Sequence, residues 1–163
     1  MKSKMAVINL DAADRRLLAL LQEDCALSNL ELAERAHLTP PTCLRRVRRL
    51  VESGIIERRI ALLNPEVAEA GLTAVVEITL ADQAAERMTA FESLVDAEPP
   101  VQQCYRVSPG PDFVLILLVA DMAAYHALVH RLFTAANNVR NVRAFFSIRR
   151  SKFAPRVPML STI

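Results

Sequence analysis

Four arginines fall within five consecutive positions of this sequence: Arg45, Arg46, Arg48 and Arg49. A guanidinium group is planar and holds its N–H donors in a fixed fork, which matches both a phosphate and the major-groove edge of guanine. Glu52 and Glu57 are the only acidic residues between positions 39 and 59, so this positive charge is not compensated locally. The cluster indicates DNA binding, and an ordinary solvated helix face is the alternative.

Two short helices are predicted to position these arginines. Ser28 and Glu31 have the spacing of a capping box, in which each side chain accepts a hydrogen bond from the other residue's backbone N–H. They predict the start of a helix that ends near His37–Leu38. A connection of about three residues then leads to a second helix, and the pair forms a helix-turn-helix.

The second helix is predicted to begin at Thr39, a favoured N-cap, with Pro40 at the first helical position, where a missing N–H costs nothing. Pro41 also lacks an N–H, so we expect the Thr39 hydroxyl to accept a hydrogen bond from the amide of Thr42. At about 100° per residue, the arginines lie on one side of this helix. The opposite side, which is expected to pack on a core, consists of Cys43, Leu44, Val47, Leu50 and Val51.

Composition and charge fit a well-filled core. The chain has 163 residues, 52% hydrophobic and 23% charged, enough for one ordinary domain or two small ones. The net charge of +2 is uneven, since residues 1–64 hold 11 basic and 8 acidic residues and residues 65–163 hold 9 and 10. The basic excess therefore lies in the part that contains the arginine cluster.

Several classes of protein are not expected. The three cysteines form no C-x-x-C pair, and only His126 and His130 could share a helix face, so neither a metal site nor a disulfide framework is predicted. Three glycines leave little room for phosphate-binding loops, and no triad or paired carboxylates predict an enzyme. The sequence contains neither a signal peptide nor a run of about 18 apolar residues. We expect a cytoplasmic protein with no membrane partner, and with no cofactor other than an effector.

Other parts of the amino-terminal region complete the predicted DNA-binding domain. Asp11 is expected to cap a first helix that runs to about Asp24. The run Ile55–Leu63 predicts a short strand pair, or wing, that leads to a hinge at Asn64–Pro65. The inward side of the first helix is expected to consist of Leu17, Leu18 and Leu21.

From residue 73 onwards the apolar pattern alternates between strand and helix periods. Strands are predicted at residues 73–80, 101–107, 113–119 and 142–148, and helices at residues 84–96 and from Asp121 to Asn137–Asn138. The order β-α-β-β-α-β is the ferredoxin-like arrangement, so the fold class is α+β. Both helices of such a domain cover one sheet face, and we expect a second subunit to cover the other, apolar face.

The predicted organisation has four parts. They are a helix-turn-helix DNA-binding domain at residues 1–54, a wing and hinge linker at residues 55–72, a βαββαβ ligand-binding and oligomerisation domain at residues 73–150, and a carboxy-terminal arm at residues 151–163.

A winged helix-turn-helix followed by this domain resembles the Lrp/AsnC family of transcription regulators. The resemblance is carried by L-D-A-A-D-R-R-L-L from Leu10, S-N-L-E-L-A-E-R from Ser28, L-T-P-P-T-C-L-R-R-V-R-R-L-V-E-S-G-I-I from Leu38, V-E-I-T-L at Val76–Leu80 and D-M-A-A-Y at Asp121–Tyr125. It implies a RAM/ACT-like carboxy-terminal domain, a homodimer or a larger tetramer or octamer, and a nucleoid-associated location. It further implies that Thr39–Glu52 is the recognition helix for pseudo-palindromic operators in double-stranded DNA.

The same resemblance implies which side chains face DNA. We expect Arg48 and Arg49 to contact phosphates, and Thr42 with Arg45 or Arg46 to contact base edges. The full expected set is Ser28, Thr39, Pro41, Thr42, Arg45, Arg46, Arg48 and Arg49.

Many members of the family respond to an amino acid bound near the turn between the second and third strands. The family pattern there is Ser-Gly, two residues, then Asp before an aromatic residue, whereas this chain has Ser108-Pro109-Gly110-Pro111-Asp112-Phe113. The two prolines remove N–H donors for an effector carboxylate, while Asp112 would remain available for an amino group. A structural turn without a ligand is the alternative. The expected effector residues are Ser108, Gly110, Asp112, Met122, Phe145 and Phe146.

The main interpretation is a sequence-specific transcription regulator that responds to an amino acid or a related small molecule. An amino-acid-sensing regulatory subunit with an incidental basic region is one alternative, and failure to bind DNA at low salt would favour it. A weakly specific nucleoid-organising protein is the other, and a footprint measured against genomic competitor DNA would distinguish it.

Overall fold

Residues 9–64 and 71–159 are described in the computed structural model of this chain. They fall into two compact units. One contains the described residues up to Leu62 together with the segment from Phe153 onwards, and the other comprises Leu63–Lys152. The first unit is helical, and the second is built around a β-sheet.

Three helices form the first unit: α1 (Ala12–Glu23), α2 (Asn29–Arg35) and α3 (Pro40–Glu52). The predicted starts of α1 and α2 are confirmed. The Asp11 carboxylate accepts a hydrogen bond from the Asp14 amide at 2.8 Å, and the Ser28 hydroxyl accepts one from the Glu31 amide at 3.3 Å. Leu21 is only partly buried. The apolar cluster shared by the three helices consists of Leu17, Leu32, Ala33, Ala36, Cys43 and Val47.

The turn between α2 and α3 reverses the chain at His37, whose φ of 56° lies in the left-handed region. Thr39 is the N-cap residue of α3, as predicted, but the expected bond to the Thr42 amide is wrong. The Thr39 hydroxyl instead donates to the Thr42 hydroxyl at 2.9 Å. Thr42 offers a side-chain oxygen at this position, and the two hydroxyls pair with each other.

The inward face of α3 is narrower than predicted. Cys43, Val47 and Leu50 are buried, whereas Leu44 and Val51 are 41% and 45% exposed. The buried residues lie within about 60° of one another on the wheel, and the two exposed residues lie at one margin of the predicted arc. Because the domain has only three short helices, they cover the buried stripe of α3 and leave its margin exposed.

The predicted strand pair between residues 55 and 63 is wrong, because the described residues 53–64 include no strand. Ile60, Leu62 and Leu63 are at least 60% exposed. An isolated two-stranded ribbon is marginally stable at best in water, and these three apolar side chains are mostly in solvent. Pro65, part of the predicted hinge, lies outside the described residues.

The second unit has the predicted βαββαβ order. Its elements are β1 (Leu72–Leu80), α4 (Ala85–Asp96), β2 (Val101–Arg106), β3 (Phe113–Val119), α5 (Met122–Leu132) and β4 (Val139–Phe146). The strands lie in the order β2-β3-β1-β4, and all neighbours are antiparallel. Strand β3, an unbroken apolar run, is therefore one of the two central strands.

Two boundaries near the end of this unit differ from the prediction. Helix α5 ends at Leu132 rather than at Asn137–Asn138, because Phe133 leaves helical geometry and a separate 3-10 turn spans Ala135–Asn137. Asn138 does adopt the left-handed conformation, with φ 66°, but it ends that 3-10 turn. Strand β4 consequently begins at Val139 and ends at Phe146, which leaves Ile148 fully exposed.

The two faces of the sheet differ. Both helices pack on the face formed by alternate residues of β1 and β3, including Val76, Ile78 and Leu115. We call the other side the open face. Its residues follow from the strand pairing and are Thr73, Val75, Glu77, Thr79, Gln103, Tyr105, Val114, Ile116, Leu118, Asn141, Arg143 and Phe145.

Candidate functional site

The exposed side of α3 carries two arginines that have no hydrogen-bond or ion-pair partner among the described residues. Arg45 and Arg48 are exposed, and neither makes a hydrogen bond or ion pair with any described residue. They line an open depression of about 490 Å³ whose other walls are Pro41, Leu44, Arg49 and Glu52. Because their guanidinium groups are solvated and unpaired, an incoming phosphate or base edge displaces only water from them.

The other two arginines are bound to carboxylates of α1. Arg46 Nη1 lies 2.7 Å from Asp11 Oδ2 and 2.9 Å from Asp14 Oδ1, and Arg49 Nη2 lies 2.5 Å from Asp14 Oδ2. The Asp14 side chain is only 1% exposed. A buried carboxylate is tolerated only when it is paired, so these contacts hold α3 against α1 in one orientation.

The pKa values of Asp11 and Arg46 are both shifted in the direction that favours the charged forms of this ion pair. The backbone N–H of Asp14 and the Arg46 guanidinium lower the pKa of the Asp11 carboxyl to about 2. In turn, Asp11 and Asp14 raise the pKa of Arg46. Arg46 Nε is buried and has no hydrogen-bond partner among the described residues, so this guanidinium is partly enclosed by protein.

The remaining predicted DNA-facing residues lie around the start of α3 and the start of α2. Thr39 and Pro41 are exposed, and Thr42 is partly buried. Ser28 is exposed, but its hydroxyl and its backbone N–H both take part in the capping box with Glu31. The helix-turn-helix thus brings the predicted residues into one domain, in which some side chains already have protein partners.

Two residues of this domain have roles that our sequence analysis missed. Asp14 lies three and four positions before Leu17 and Leu18, so an acid on the apolar face of α1 was a visible signal for a buried ion pair. Asn29 donates from its side-chain amide to the Pro40 carbonyl at 2.9 Å and ties the start of α2 to the start of α3. No local pattern identifies this second contact.

The predicted effector turn between β2 and β3 is exposed at Ser108 and Gly110, and Gly110 has a φ of 118°, which favours glycine. Asp112 has hydrogen-bond partners in β1. Its Oδ2 accepts a hydrogen bond from the Leu80 amide at 2.7 Å, and its own amide donates to the Ile78 carbonyl at 2.8 Å. Asp112 therefore closes the end of β1, and its contact with an effector's amino group stays a prediction.

Of the other predicted effector residues, Met122 lies at the end of the sheet opposite Asp112. Met122 follows the end of β3, whereas Asp112 precedes its start, and a seven-residue strand is roughly 20 Å long. Phe145 pairs with Val75, which in turn pairs with Ile116 in the middle of β3. Within a single copy of the sheet, Asp112 and Met122 are therefore too far apart to contact the same amino acid.

Phe145 and Phe146 also lie on opposite faces of the sheet, because side chains alternate along a strand. The Phe146 ring packs on the Tyr125 ring of α5, with centroids 4.9 Å apart. The Phe145 ring lies on the open face, with the Arg143 guanidinium 4.8 Å from its centroid. In one copy of the chain, the two rings cannot line the same cleft.

A separate apolar cavity of about 340 Å³ lies between α5 and the end of β3, and no predicted effector residue lines it. The charged residue that lines this cavity, Arg131, forms a bidentate ion pair with Glu98, and the guanidinium lowers the pKa of the Glu98 carboxyl. Within the described ranges, no group of three or more His, Cys, Asp or Glu residues could hold a metal ion. No helix among the described residues is long and apolar enough to span a membrane.

Comparison with known proteins identifies both domains. Residues 10–57 match a family model described as winged helix-turn-helix DNA-binding, and residues 73–157 match the Lrp/AsnC ligand binding domain. Together with the helix-turn-helix and the βαββαβ fold, these matches define a DNA-binding transcriptional regulator and not an enzyme.

Similar proteins cover almost the whole chain. The DNA-binding transcriptional activator DecR of Escherichia coli (strain K12) is 36% identical over 92% of this chain and 99% of its own length. The leucine-responsive regulatory protein of Klebsiella pneumoniae is 38% identical over 91% of each chain. The structure of transcriptional regulator NMB0573 from Neisseria meningitidis in complex with L-Met superposes with a TM-score of 0.83 at 30% identity and covers 93% of this chain and 97% of that one. The chain belongs to the Lrp/AsnC family of transcriptional regulators.

Proposed function

We propose that this regulator binds a pseudo-palindromic operator as a homodimer, with α3 of each subunit in the major groove. The observation that carries this proposal is the division of the α3 arginines into two free and two bound side chains. Arg45 and Arg48 are available for DNA, whereas Arg46 and Arg49 hold α3 against α1. A recognition helix that is held firmly loses little conformational freedom when it binds.

Within this surface, we assign Arg48 to phosphate and Arg45, with Thr42, to base edges. Ser28, Thr39 and Pro41 stay in the proposed set as neighbours of the helix start. A two-fold dimer presents its recognition helices about one turn of DNA apart, so half-sites about 10 base pairs apart, or at multiples of that spacing, are expected.

Dimerisation through the sheet domain is supported by the character of the open face. Val75, Val114 and Ile116 lie at its centre, and Tyr105 and Phe145 remain 52% and 43% exposed. An apolar surface of this kind is typical of an interface. A larger assembly, such as a tetramer or octamer, would use further surfaces.

We further propose that an amino acid modulates the protein, and that its site is completed by a second copy of the chain. The L-Met complex of the Neisseria regulator supports the class of ligand. The separation of Asp112 from Met122 supports a shared site, because the two residues lie beyond opposite ends of β3. As DNA is its partner, we place the regulator with the nucleoid in the cytoplasm.

The DNA proposal is tested by fluorescence anisotropy with two duplexes, one selected from random sequences by the protein itself and one of random sequence. Arg45→Ala/Arg48→Ala should weaken binding at least about tenfold and, because only Arg48 is assigned to phosphate, reduce the salt slope by about 1 per protomer. Arg48→Ala alone should weaken binding to both duplexes, whereas Thr42→Ala should change their ratio. Arg87→Ala on α4 is the matched charge control. Equal losses on both duplexes for Arg48→Ala and Thr42→Ala would contradict the assignment.

A further inference from the structure

The carboxy-terminal quarter of the chain is basic in a way that bulk charge conceals. No Asp or Glu follows Asp121 in the sequence. Three of the basic residues in this region pair with acids from earlier in the chain, namely Arg131 with Glu98, Arg143 with Glu77 and Arg156 with Glu23. The basic residues after Asp121 are Arg131, Arg140, Arg143, Arg149, Arg150, Lys152 and Arg156.

Three of them lie close together just after the sheet ends. Arg149, Arg150 and Lys152, which we call the basic segment, are all exposed and belong to a stretch without helix or strand. Arg149 and Lys152 make no hydrogen bond or ion pair with any described residue. An anion can therefore contact these two side chains without displacing a partner among the described residues.

Protein contacts fix the chain on both sides of the basic segment. Before it, the Ser147 amide donates to the Thr73 carbonyl of β1 at 2.9 Å. After it, the Val157 amide donates to Gln22 Oε1 at 2.6 Å, and Gln22 Nε2 donates back to the Val157 carbonyl at 3.1 Å. A segment anchored at both ends has less conformational entropy to lose on binding than a free tail.

The second anchor lies on α1, within the same compact unit as the recognition helix. Lys152 is five residues from Val157, so the covalent chain keeps it within about 18 Å of that contact. DNA bound by α3 carries a phosphate on each strand about every 3.4 Å along its axis. The basic segment is thus joined by a short stretch of chain to the unit that carries α3.

We propose that Arg149 and Lys152, with Arg150 between them, form a second contact with the DNA backbone, on phosphates that flank the half-site bound by α3. This contact rests on the proposed operator binding by α3. Backbone contacts of this kind add affinity and fix the position of a protein on the duplex, but they carry no sequence information themselves.

The test compares Arg149→Gln/Lys152→Gln with Arg87→Gln/Arg106→Gln in the full-length protein. Both variants remove two exposed positive charges from the same compact unit, so their net charges are equal. Binding is measured by anisotropy from low to high salt on a short duplex that covers only the half-sites and on one extended by about one helical turn at each end.

For the basic-segment variant, the salt slope on the extended duplex should fall by about 2 per protomer, and the affinity should fall several-fold at physiological salt. The short duplex should show a smaller change, and the control variant should behave like the parent on both. Equal slopes for the two variants, or no difference between the duplexes, would overturn the second contact while α3 binding stands. Failure of the parent protein to bind either duplex at low salt would remove both proposals.

Discussion

The helix-turn-helix and the effector region show opposite relations between sequence and site. In the first, the predicted residues come from one stretch of about twenty positions, and three helices bring them into one domain. In the second, the predicted residues come from one turn, from the start of α5 and from β4, and a single copy of the domain leaves Asp112 and Met122 apart. Residues of adjacent helices can be grouped from the sequence, whereas a site that we propose to be completed by a second copy requires knowledge of the assembly.

Asp14 gives the strongest test of this comparison, because its buried carboxylate forms the ion pairs that join α1 to α3. Asp14→Ala leaves the Arg46 guanidinium, only 21% exposed, without its buried partner. We expect the free energy of unfolding of this unit to fall by about 3 kcal/mol. Urea unfolding of the full-length chain, followed by helical circular dichroism, measures this loss.

Glu34→Ala, at an exposed position on α2, is the control and should change stability by less than about 0.5 kcal/mol. Should Asp14→Ala prove as stable as this control, the ion pairs with Arg46 and Arg49 would not position α3, and all four arginines would be available for DNA.

Asp112 tests the effector region, because it has both a structural contact and a proposed ligand role. Asp112→Ala removes the acceptor for the Leu80 amide and should cost about 1–2 kcal/mol. Asp112→Asn keeps an acceptor oxygen, so it should fold with a smaller loss, but it removes the negative charge that an amino group would contact.

Thermal-shift measurements of the parent and of Asp112→Asn against the twenty amino acids, with molecular size determined for each hit, separate these roles. We expect the ligand-induced shift of the parent to be lost in Asp112→Asn. An unchanged shift would assign Asp112 to the closure of β1 alone and would place the amino group elsewhere.

The smallest expected effect concerns acid stability at Asp11. Its pKa of about 2 in the folded protein lies below the ordinary value of 3.8, so the charged carboxylate favours folding. This contribution is complete above about pH 4 and is lost as the pH falls towards 2. It is modest because the side chain is 54% exposed, and solvent screens its ion pair with Arg46.

Urea midpoints measured between pH 5 and about pH 2 test this prediction. Asp11→Asn retains a good N-cap residue but has no carboxylate to protonate, so its stability should fall less steeply across this range. Asp24→Asn, at the other end of α1, should keep the parental slope. A parental slope for Asp11→Asn as well would contradict the assigned role.

Much of the fold followed from local physical rules. Capping residues predicted the starts of α1 and α2, alternating apolar residues predicted β1 to within one position, and an unbroken apolar run predicted the bounds of β3. The errors came from features that these rules do not contain. Leu44 and Val51 are exposed because three short helices bury only a narrow stripe of α3. Helix α5 ends earlier than predicted because Phe133 leaves helical geometry, and a separate 3-10 turn follows.

The candidate sites were predicted from the sequence less completely than the fold. The charge pattern of α3 predicted that all four arginines face DNA, but Asp14, more than thirty positions away in sequence, pairs with Arg46 and Arg49 alone. In the same way, Phe145 and Phe146 were grouped because the family resemblance implied a common cleft, although strand alternation points them to opposite faces. Partners distant in sequence decided both outcomes.

The alternation of the sheet also gives this protein two optical reporters. The chain contains no tryptophan and only two tyrosines, so tyrosine emission is not obscured by a stronger fluorophore. Tyr125 is buried against Phe146 on the helix side, whereas Tyr105 is half exposed on the open face. Association through the open face should shield Tyr105 from a dissolved quencher and leave Tyr125 unchanged, so each tyrosine reports on one side of the sheet.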